Sequence, residues 1–150
     1  MAKATQRQIV AQIEPSDNII GHATGPVFSG YFATVSGGEI SAAVEKVYDG
    51  NSTFPEVLCA PSEIGDITVS RFYDPDLDET RLNRLRQLVG MAYYDLEVYT
   101  LNCELKEPGS ERVYAKSLLV GLTEPDGDAS SGAPASYSLT FSVSTVSPGT

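Results

Sequence analysis

The sequence predicts an α+β fold that is mostly β, with two packed antiparallel sheets in a barrel-like sandwich and one flanking α-helix. Three observations predict it. Several segments alternate apolar and polar residues, turn signals rich in Gly, Pro and Ser separate them, and apolar residues recur at helical spacing once. Runs of strands with a single inserted helix are typical of this class. A chain of 150 residues has the size of one ordinary domain.

The order of elements follows from the same patterns. Residues 1–25 are polar and broken by Pro and Gly, which predicts an N-terminal arm, and residues 26–150 predict a single domain. Residues 49–65 are too long and too Pro-marked for a hairpin turn, so we expect a functional or disordered loop there. The predicted strands are residues 27–35, 39–48, 66–73, 94–104, 112–122 and 135–146. In the second of them one face is apolar, which predicts a half-buried strand with Ile40, Ala42, Val44 and Tyr48 inside.

The one predicted helix covers residues 78–89. Asp76 is its expected N-cap, with Glu79 three residues on at the capping-pair spacing, and Gly90 ends it. The expected buried stripe consists of Leu82, Leu85, Leu88 and Val89. Three basic residues lie mostly off that stripe: Arg81, Arg84 and Arg86. Such a face is usually solvated or pairs with acidic groups of a neighbouring subunit, and phosphate binding is the less common alternative.

The sequence offers little catalytic or metal-binding chemistry. His22 is the only histidine, and it lies in the Gly-rich arm. The segment DPDLDE resembles a calcium loop, but Glu79 stands where Gly is needed and Leu85 where a bidentate Glu is needed. No phosphate-binding loop, nucleophile elbow or zinc spacing occurs. We therefore expect no enzymatic activity, no metal and no cofactor, although twenty acidic residues leave a carboxylate pair open.

Charge and hydropathy limit the partners and the location. The net charge of −10 repels other polyanions, which argues against a groove that binds nucleic acid tightly. The N-terminal residues lack the apolar core of a signal peptide, and no segment is long and apolar enough to span a membrane. We expect synthesis in the cytoplasm and no membrane partner.

The last predicted strand has an unusual polar face. Tyr137, Leu139, Phe141 and Val143 alternate with Ser and Thr, and no charged residue occurs between positions 136 and 146. A small, uncharged hydroxyl face suits a packed interface or a smooth lining better than bulk solvent. A sheltered edge or an ordinary solvated sandwich face is the alternative.

Several motifs in this order resemble the phage major tail tube protein family and, more distantly, the haemolysin-coregulated ring protein of type VI secretion. They are FATVSGGEISAAVEKVYDG (32–50), DITVSRFYDPD (66–76), YYDLEVYTLN, RVYAKSLLVGL and the alternating C-terminal strand, so the resemblance covers roughly residues 27–146. It implies six-fold homo-hexameric rings stacked head-to-tail into a hollow tube. That tube is part of a virion tail assembled in the host cytoplasm, with possible sheath, baseplate and tail terminator partners. It serves as a conduit for DNA ejection, and DNA passes without specific binding.

The resemblance also implies roles for particular residues. The expected lumen-lining residues lie at the polar positions of their strands: Glu39, Ser41, Glu45, Asp66, Thr68 and Ser70. The expected ring-stacking contacts lie on the arm and the long loop: Ile19, Ile20, Tyr48, Asp49, Phe54 and Pro55. The expected inter-subunit ion pairs use Arg81, Arg84 and Arg86. Two alternatives stay open: a ring protein of a secretion or injection tube with protein cargo, and a monomeric β-sandwich binding module.

Overall fold

The computed structural model describes residues 3–16, 25–51, 53–102 and 110–148. Strands make up 45% of it, and within these residues there is one α-helix and one 3-10 turn, Gln6–Gln8. The helix is α1 (Pro75–Arg86). The strands are β1 (Ile9–Pro15), β2 (Thr34–Gly37), β3 (Ile40–Ala42), β4 (Lys46–Val47), β5 (Glu56–Val57), β6 (Ser62–Ile64), β7 (Ile67–Phe72), β8 (Tyr93–Thr100), β9 (Ser110–Thr123), β10 (Ser136–Ser142) and β11 (Ser147–Pro148).

The main sheet is antiparallel and curls into a half-barrel. Its strand order is β1-β8-β9-β10-β7-β2, and β11 also pairs with β9. The two ends of the curled sheet meet at one residue pair, where Ala11 N donates to Phe32 O at 3.1 Å and Phe32 N donates to Ala11 O at 2.7 Å. The predicted class is confirmed: a mostly β fold of antiparallel sheets, barrel-like, with one flanking helix.

The core fills the concave side of this sheet. The apolar side chains of β10 predicted to be buried are all buried: Tyr137, Leu139, Phe141 and Val143. They pack with the apolar face of β8 and with the helix, as one cluster. Alternation along β10 therefore predicted its buried face correctly, because side chains on a strand point to opposite sides in turn.

The helix begins three residues earlier than the sequence predicted. Asp74 is the N-cap, its Oδ1 accepts from Asp76 N at 3.1 Å, and Pro75 occupies the first turn. The predicted capping pair of Asp76 and Glu79 is therefore wrong, because Pro at the first helical position favours the earlier start. The stripe Leu82, Leu85 and Leu88 is buried as predicted, whereas Val89 lies beyond the helix end and is exposed.

The N-terminal segment contains a core strand that the sequence analysis placed in a polar arm. β1 pairs with β8 along its whole length, from Ile9 opposite Thr100 to Pro15 opposite Tyr94. Ala11 and Ile13 are buried in the main core. The apolar run Ile9, Val10 and Ala11, followed by Ile13, was the available signal, and the prediction of a polar arm gave more weight to the Pro and Gly residues that follow it.

The predicted strand 27–35 forms only in its last part, as β2. Gly30 has φ +77, which breaks an extended chain, and Phe28 and Phe32 on either side of it are both buried. The segment before β2 therefore follows the core irregularly. Its backbone is fixed to the sheet by the Ala11–Phe32 pair described above.

Residues 39–65 form a long hairpin in place of the expected half-buried strand and loop. β3 pairs with β6, and farther out β4 pairs with β5. The hairpin leaves the main sheet through Gly37 and Gly38, with φ of +93 and +79. A Cβ on Gly37 would lie 2.0 Å from Asp66 O, so only glycine fits this turn. The prediction that Ile40, Ala42, Val44 and Tyr48 are buried was wrong, because the hairpin packs against no other part of the described chain that covers them.

Candidate assembly surfaces

A surface of hydroxyl side chains crosses four strands on the side of the main sheet opposite the core. The pairing of β2, β7, β10 and β9 places its members in two rows. One row is Thr34, Ser70, Ser138 and Thr123, and the other is Ser36, Thr68, Thr140 and Gly121. We call the seven Ser and Thr residues of these rows the hydroxyl face. The Oγ1 atoms of Thr68 and Thr140 lie 3.3 Å apart.

The hydroxyl face is neutral in a chain of net charge −10. Its side chains are short and none is ionisable, so the surface is polar without being charged. Four of the seven members, on the central strands β7 and β10, are only half-exposed because their neighbours across the strands shield them. The uncharged polar face predicted for β10 is thus part of a wider surface that three strand registers create.

The six expected lumen residues fall into two places. Thr68 and Ser70 belong to the hydroxyl face, and Asp66 precedes them at the start of β7, exposed. Glu39, Ser41 and Glu45 lie on the hairpin or at its base and are exposed. The structure therefore brings Thr68 and Ser70 together with the hydroxyls of β10, and it separates them from the three hairpin residues.

The hairpin is the most exposed apolar part of the described chain. No described residue from 40 to 64 is buried, and only Pro55, Ala60 and Ile64 are half-buried. Its exposed large apolar side chains are Ile40, Val44, Val47, Tyr48, Phe54, Val57 and Leu58, with Phe54 at 80%. Single exposed apolar residues are normal on a surface, whereas contiguous apolar patches are typical of interaction surfaces, so the hairpin is a candidate for one.

The residues expected to stack the rings are partly described. Tyr48, Asp49, Phe54 and Pro55 lie together at the hairpin tip, beyond the β4–β5 pair. Ile19 and Ile20 lie outside the described residues.

The three arginines of α1 have different surroundings. Arg81 Nη1 lies 3.4 Å from Asp78 Oδ1, and Arg86 forms an ion pair with Glu124, both within the chain. Arg84 is exposed and has no ion-pair partner among the described residues. Of the three, Arg84 has the charge most available to a second subunit.

A buried ionic network that the sequence analysis missed joins the helix to the sheet. Asp78 is 2% exposed, and its Oδ1 lies 3.0 Å from Arg71 Nη2 and accepts from Tyr137 Oη at 3.2 Å. Arg71 also donates to Tyr137 Oη at 2.7 Å and to Ser29 O at 2.6 Å. Its guanidinium lies 4.6 Å from the ring centre of Phe32. Arg71 therefore contacts β10, α1 and the segment before β2 at once.

Burial sets the protonation of two core tyrosines. Desolvation raises the pKa of Tyr137 to about 12, although the hydrogen bond from Arg71 opposes this. Desolvation also raises the pKa of Tyr94, whose hydroxyl donates to Pro26 O at 3.0 Å. Both phenols are neutral hydrogen-bond donors at neutral pH. Their role in this arrangement is to fix core contacts.

The described residues hold no group of three or more His, Cys, Asp and Glu side chains able to bind a metal ion. In the segment DPDLDE, Asp74 caps the helix and Asp78 pairs with arginine, so both carboxylates have structural partners. In the same described parts of the chain, no helix has the length and apolarity needed to cross a membrane.

Comparison with known proteins gives likenesses of structure. No family model matches the sequence, and no curated protein matches it. The tube-sheath complex of an extracellular contractile injection system (PVC, extended state) contains a chain 19% identical, with TM-score 0.70, over 97% of this chain and 90% of that one. The sheath/tube terminator of the same system gives 19% identity and TM-score 0.71, over 98% and 96%. A chain of the tube-terminating cap of the anti-feeding prophage is 18% identical, with TM-score 0.69, over 98% of this chain and 91% of that one.

These likenesses establish the fold. The structural neighbours are chains from the sheath-tube and sheath/tube terminator complexes of one contractile injection system and from the tube-terminating cap of the anti-feeding prophage, and they align with this chain over nearly their whole lengths. The resemblance to tail tube proteins drawn from the sequence is thereby confirmed at the level of fold. The protein shares the fold of these chains.

Proposed function

We propose that the protein is a non-enzymatic structural subunit that polymerises as stacked homo-hexameric rings into the hollow tube of a phage-tail-like particle. In this proposal the rings stack head-to-tail, and the tube meets a sheath, a baseplate and a terminator. The second part is supported by the structural neighbours, which come from sheath-tube, terminator and baseplate complexes. A head-to-tail contact that does not close on itself generates a filament from identical subunits. The subunits are made in the cytoplasm and act in the assembled tail.

The exposed hairpin is the observation that carries this proposal. It places a set of apolar side chains away from the core, in a segment where none of the described residues is buried. The hairpin adds little to the stability of an isolated subunit, because a two-stranded hairpin has little stability of its own in water. Burial between subunits removes this apolar surface from water, and each 100 Å² buried contributes on the order of 2.5 kcal/mol.

The hydroxyl face is our candidate for the wall of the lumen. Short neutral side chains form a surface without fixed charges, past which a charged polymer moves with little electrostatic retention. Thr68 and Ser70 lie in this face, and Asp66 lies beside it. We place Glu39, Ser41 and Glu45 in the lumen wall as well, near the base of the hairpin and along it, where the subunit approaches the next ring. Ring stacking uses the hairpin tip, and Arg84 is the arginine that we assign to an inter-subunit ion pair.

The first candidate cargo is DNA. Duplex DNA carries about one negative charge per 1.7 Å of axis, so a neutral or acidic wall releases it and a basic wall retains it. Protein cargo is the second candidate, and it is favoured by the neighbours, which belong to extracellular contractile injection systems. A neutral hydroxyl wall is compatible with either cargo.

Introducing positive charge at the wall tests the lumen assignment. We expect Ser36→Lys with Ser138→Lys, two positions of the hydroxyl face that are not cross-strand partners, to leave tubes intact but make them retain short duplex DNA at low salt, with retention falling steeply as salt rises. Glu39→Lys with Glu45→Lys is expected to retain DNA less strongly, because those residues lie on the hairpin. The measurement is co-sedimentation of labelled DNA with tubes. The control is Thr80→Lys with Gln87→Lys, two exposed neutral positions on the helix and at its C-cap that add the same two positive charges.

If the control variant retains as much DNA as the wall variant, the hydroxyl face is not the lumen wall. The proposed assembly itself is tested by mass photometry and sedimentation at rising protein concentration. We expect a species with six times the mass of the chain, followed by larger multiples of it. A chain that sediments as a monomer at every concentration and salt would overturn the proposed function.

A further inference from the structure

The seam where the curled sheet nearly closes contains an open groove. β1 and β2 form the two ends of the sheet and pair at Ala11 and Phe32. Continuation of that antiparallel register would put Ile9 opposite Thr34, yet the described strands have no pairing there. A cavity of about 450 Å³ lies at this place, lined by Gln6, Arg7, Ile9, Ala33, Thr34 and Val35.

The groove has the composition of a docking site. Its walls present the outer edges of β1 and β2, whose backbone groups on that side lack strand partners in the described chain beyond the Ala11–Phe32 pair. Free strand edges accept an extended segment from another chain. Ile9, Ala33 and Val35 supply apolar surface. Arg7 supplies one positive charge, and within the described residues it has no ion-pair partner.

One wall of the groove is held firmly in place. Gln8 donates from its side chain to Leu101 O at 2.8 Å, and Leu101 N donates back to Gln8 O at 2.7 Å. Gln8 N donates to Thr5 O at 3.1 Å, which closes the 3-10 turn that carries Arg7, and Gln8 Oε1 accepts from Thr5 N at 2.8 Å, which caps it. The groove is thus a preformed feature of the fold, and an incoming segment meets an ordered wall.

The hairpin tip has the complementary chemistry. Phe54 is 80% exposed, and Glu56 lies two residues farther on in β5, exposed as well. Two residues of extended chain span about 6 to 7 Å. A phenyl ring on the apolar floor and a carboxylate at Arg7 therefore fit one short segment. Opposite charges on the two surfaces favour this pairing over an apolar partner without charge.

We propose that the hairpin tip of a second copy of this chain docks in the β1–β2 groove, with Phe54 on its apolar floor and Glu56 paired with Arg7. The contact rests on the proposed tube, since it is one of the contacts that join its subunits. It deepens that proposal by naming the surface that receives the hairpin. It also uses both free edges of the sheet, which otherwise present unpaired strands to solvent.

Site-specific photo-crosslinking from position 54 tests the contact directly. A benzoylphenylalanine residue replaces Phe54 in the full chain, and labelled and unlabelled copies are mixed before assembly so that mass spectrometry separates inter-chain from intra-chain products. We expect inter-chain crosslinks to peptides that contain residues 6–9 or 33–35. Crosslinks that map elsewhere on the second copy, or only within one copy, would overturn the inference.

Charge reversal tests the ion pair independently. Arg7→Glu and Glu56→Arg are each expected to lower the assembled fraction roughly tenfold in a pelleting assay, and the double variant is expected to recover most of it. Lys3→Glu is the matched control, an exposed basic residue outside the groove lining. Circular dichroism verifies that each variant is folded. A double variant no better than the two single variants would contradict the pairing.

The outcomes separate this inference from the function on which it rests. Tubes formed equally well by the wild type and by Arg7→Glu would refute the groove contact and leave the tube proposal intact. A wild type that never assembles would refute both.

Discussion

Replacement of Asp78 by Asn is expected to lower the free energy of unfolding by about 3 to 5 kcal/mol. Asp78 is the acceptor at the centre of a network in which the Arg71 side chain is only 15% exposed. Removing the negative charge leaves the Arg71 guanidinium largely buried without its counter-charge. Breaking one partner of a buried ion pair costs much more than the pair contributes, because the remaining charge has already lost its water. The loss is a large part of the stability of an ordinary domain, about 5 to 15 kcal/mol.

The measurement is urea unfolding followed by circular dichroism. Glu79→Gln is the matched control, since Glu79 is an exposed acid one residue along the helix from Asp78, and a change within about 0.5 kcal/mol is expected for it. A loss below about 1 kcal/mol for Asp78→Asn would show that the network contributes little to helix docking. The expected large effect explains the arrangement: one carboxylate fixes α1, β7, β10 and the segment before β2 together.

Shortening the hairpin tip is expected to abolish tube formation and to leave the subunit folded. Val47 pairs with Glu56, so a two-residue Asn-Gly turn can replace residues 48–55 without a change of register. None of the described residues in that stretch is buried, so the melting temperature should change little. The assembled fraction in a pelleting assay should fall to the background level, because the tip carries Phe54, the most exposed large apolar side chain among the described residues.

The control for this experiment changes the exposed loop 127–132 to a Gly-Ser sequence of equal length. That variant is expected to assemble like the wild type. If the shortened hairpin still forms tubes in normal amounts, the tip has no role in ring stacking. If both variants fail, general loss of solubility or folding is the cause, and thermal unfolding of each variant identifies it.

Local patterns in the sequence predicted the strands and the helix that bury one face in the core. The alternation in β10 and the leucine spacing of α1 were sufficient to predict those elements and most of their buried positions, and β7 and β8 were predicted as strands. A strand or helix with one buried face imposes its period on the sequence. The same reasoning failed for residues 40–48, which alternate but stand outside the core. Alternation indicates that one face of a strand becomes buried, and contact with a second subunit can bury it.

The remaining features depend on register and on contacts distant in sequence. The two rows of the hydroxyl face exist because β2, β7, β10 and β9 pair with particular offsets. The network of Asp78 uses Arg71 and also Tyr137, which lies 59 positions along the chain. Local patterns in the sequence do not show which of these strands and side chains pair. β1 is different, since its apolar residues Ile9, Val10, Ala11 and Ile13 are a local signal, which the prediction of a polar arm did not use because Pro and Gly residues follow them.

Electron microscopy of the purified protein at increasing concentration tests the central claim most directly. We predict six-fold rings at low concentration and stacked hollow tubes at high concentration. In a reconstruction of such tubes, the hydroxyl face should line the channel and the hairpin should bridge subunits. Particles that remain monomeric at all concentrations and salts would contradict the claim that this chain is a tube subunit. Closed aggregates without a central channel would contradict it equally.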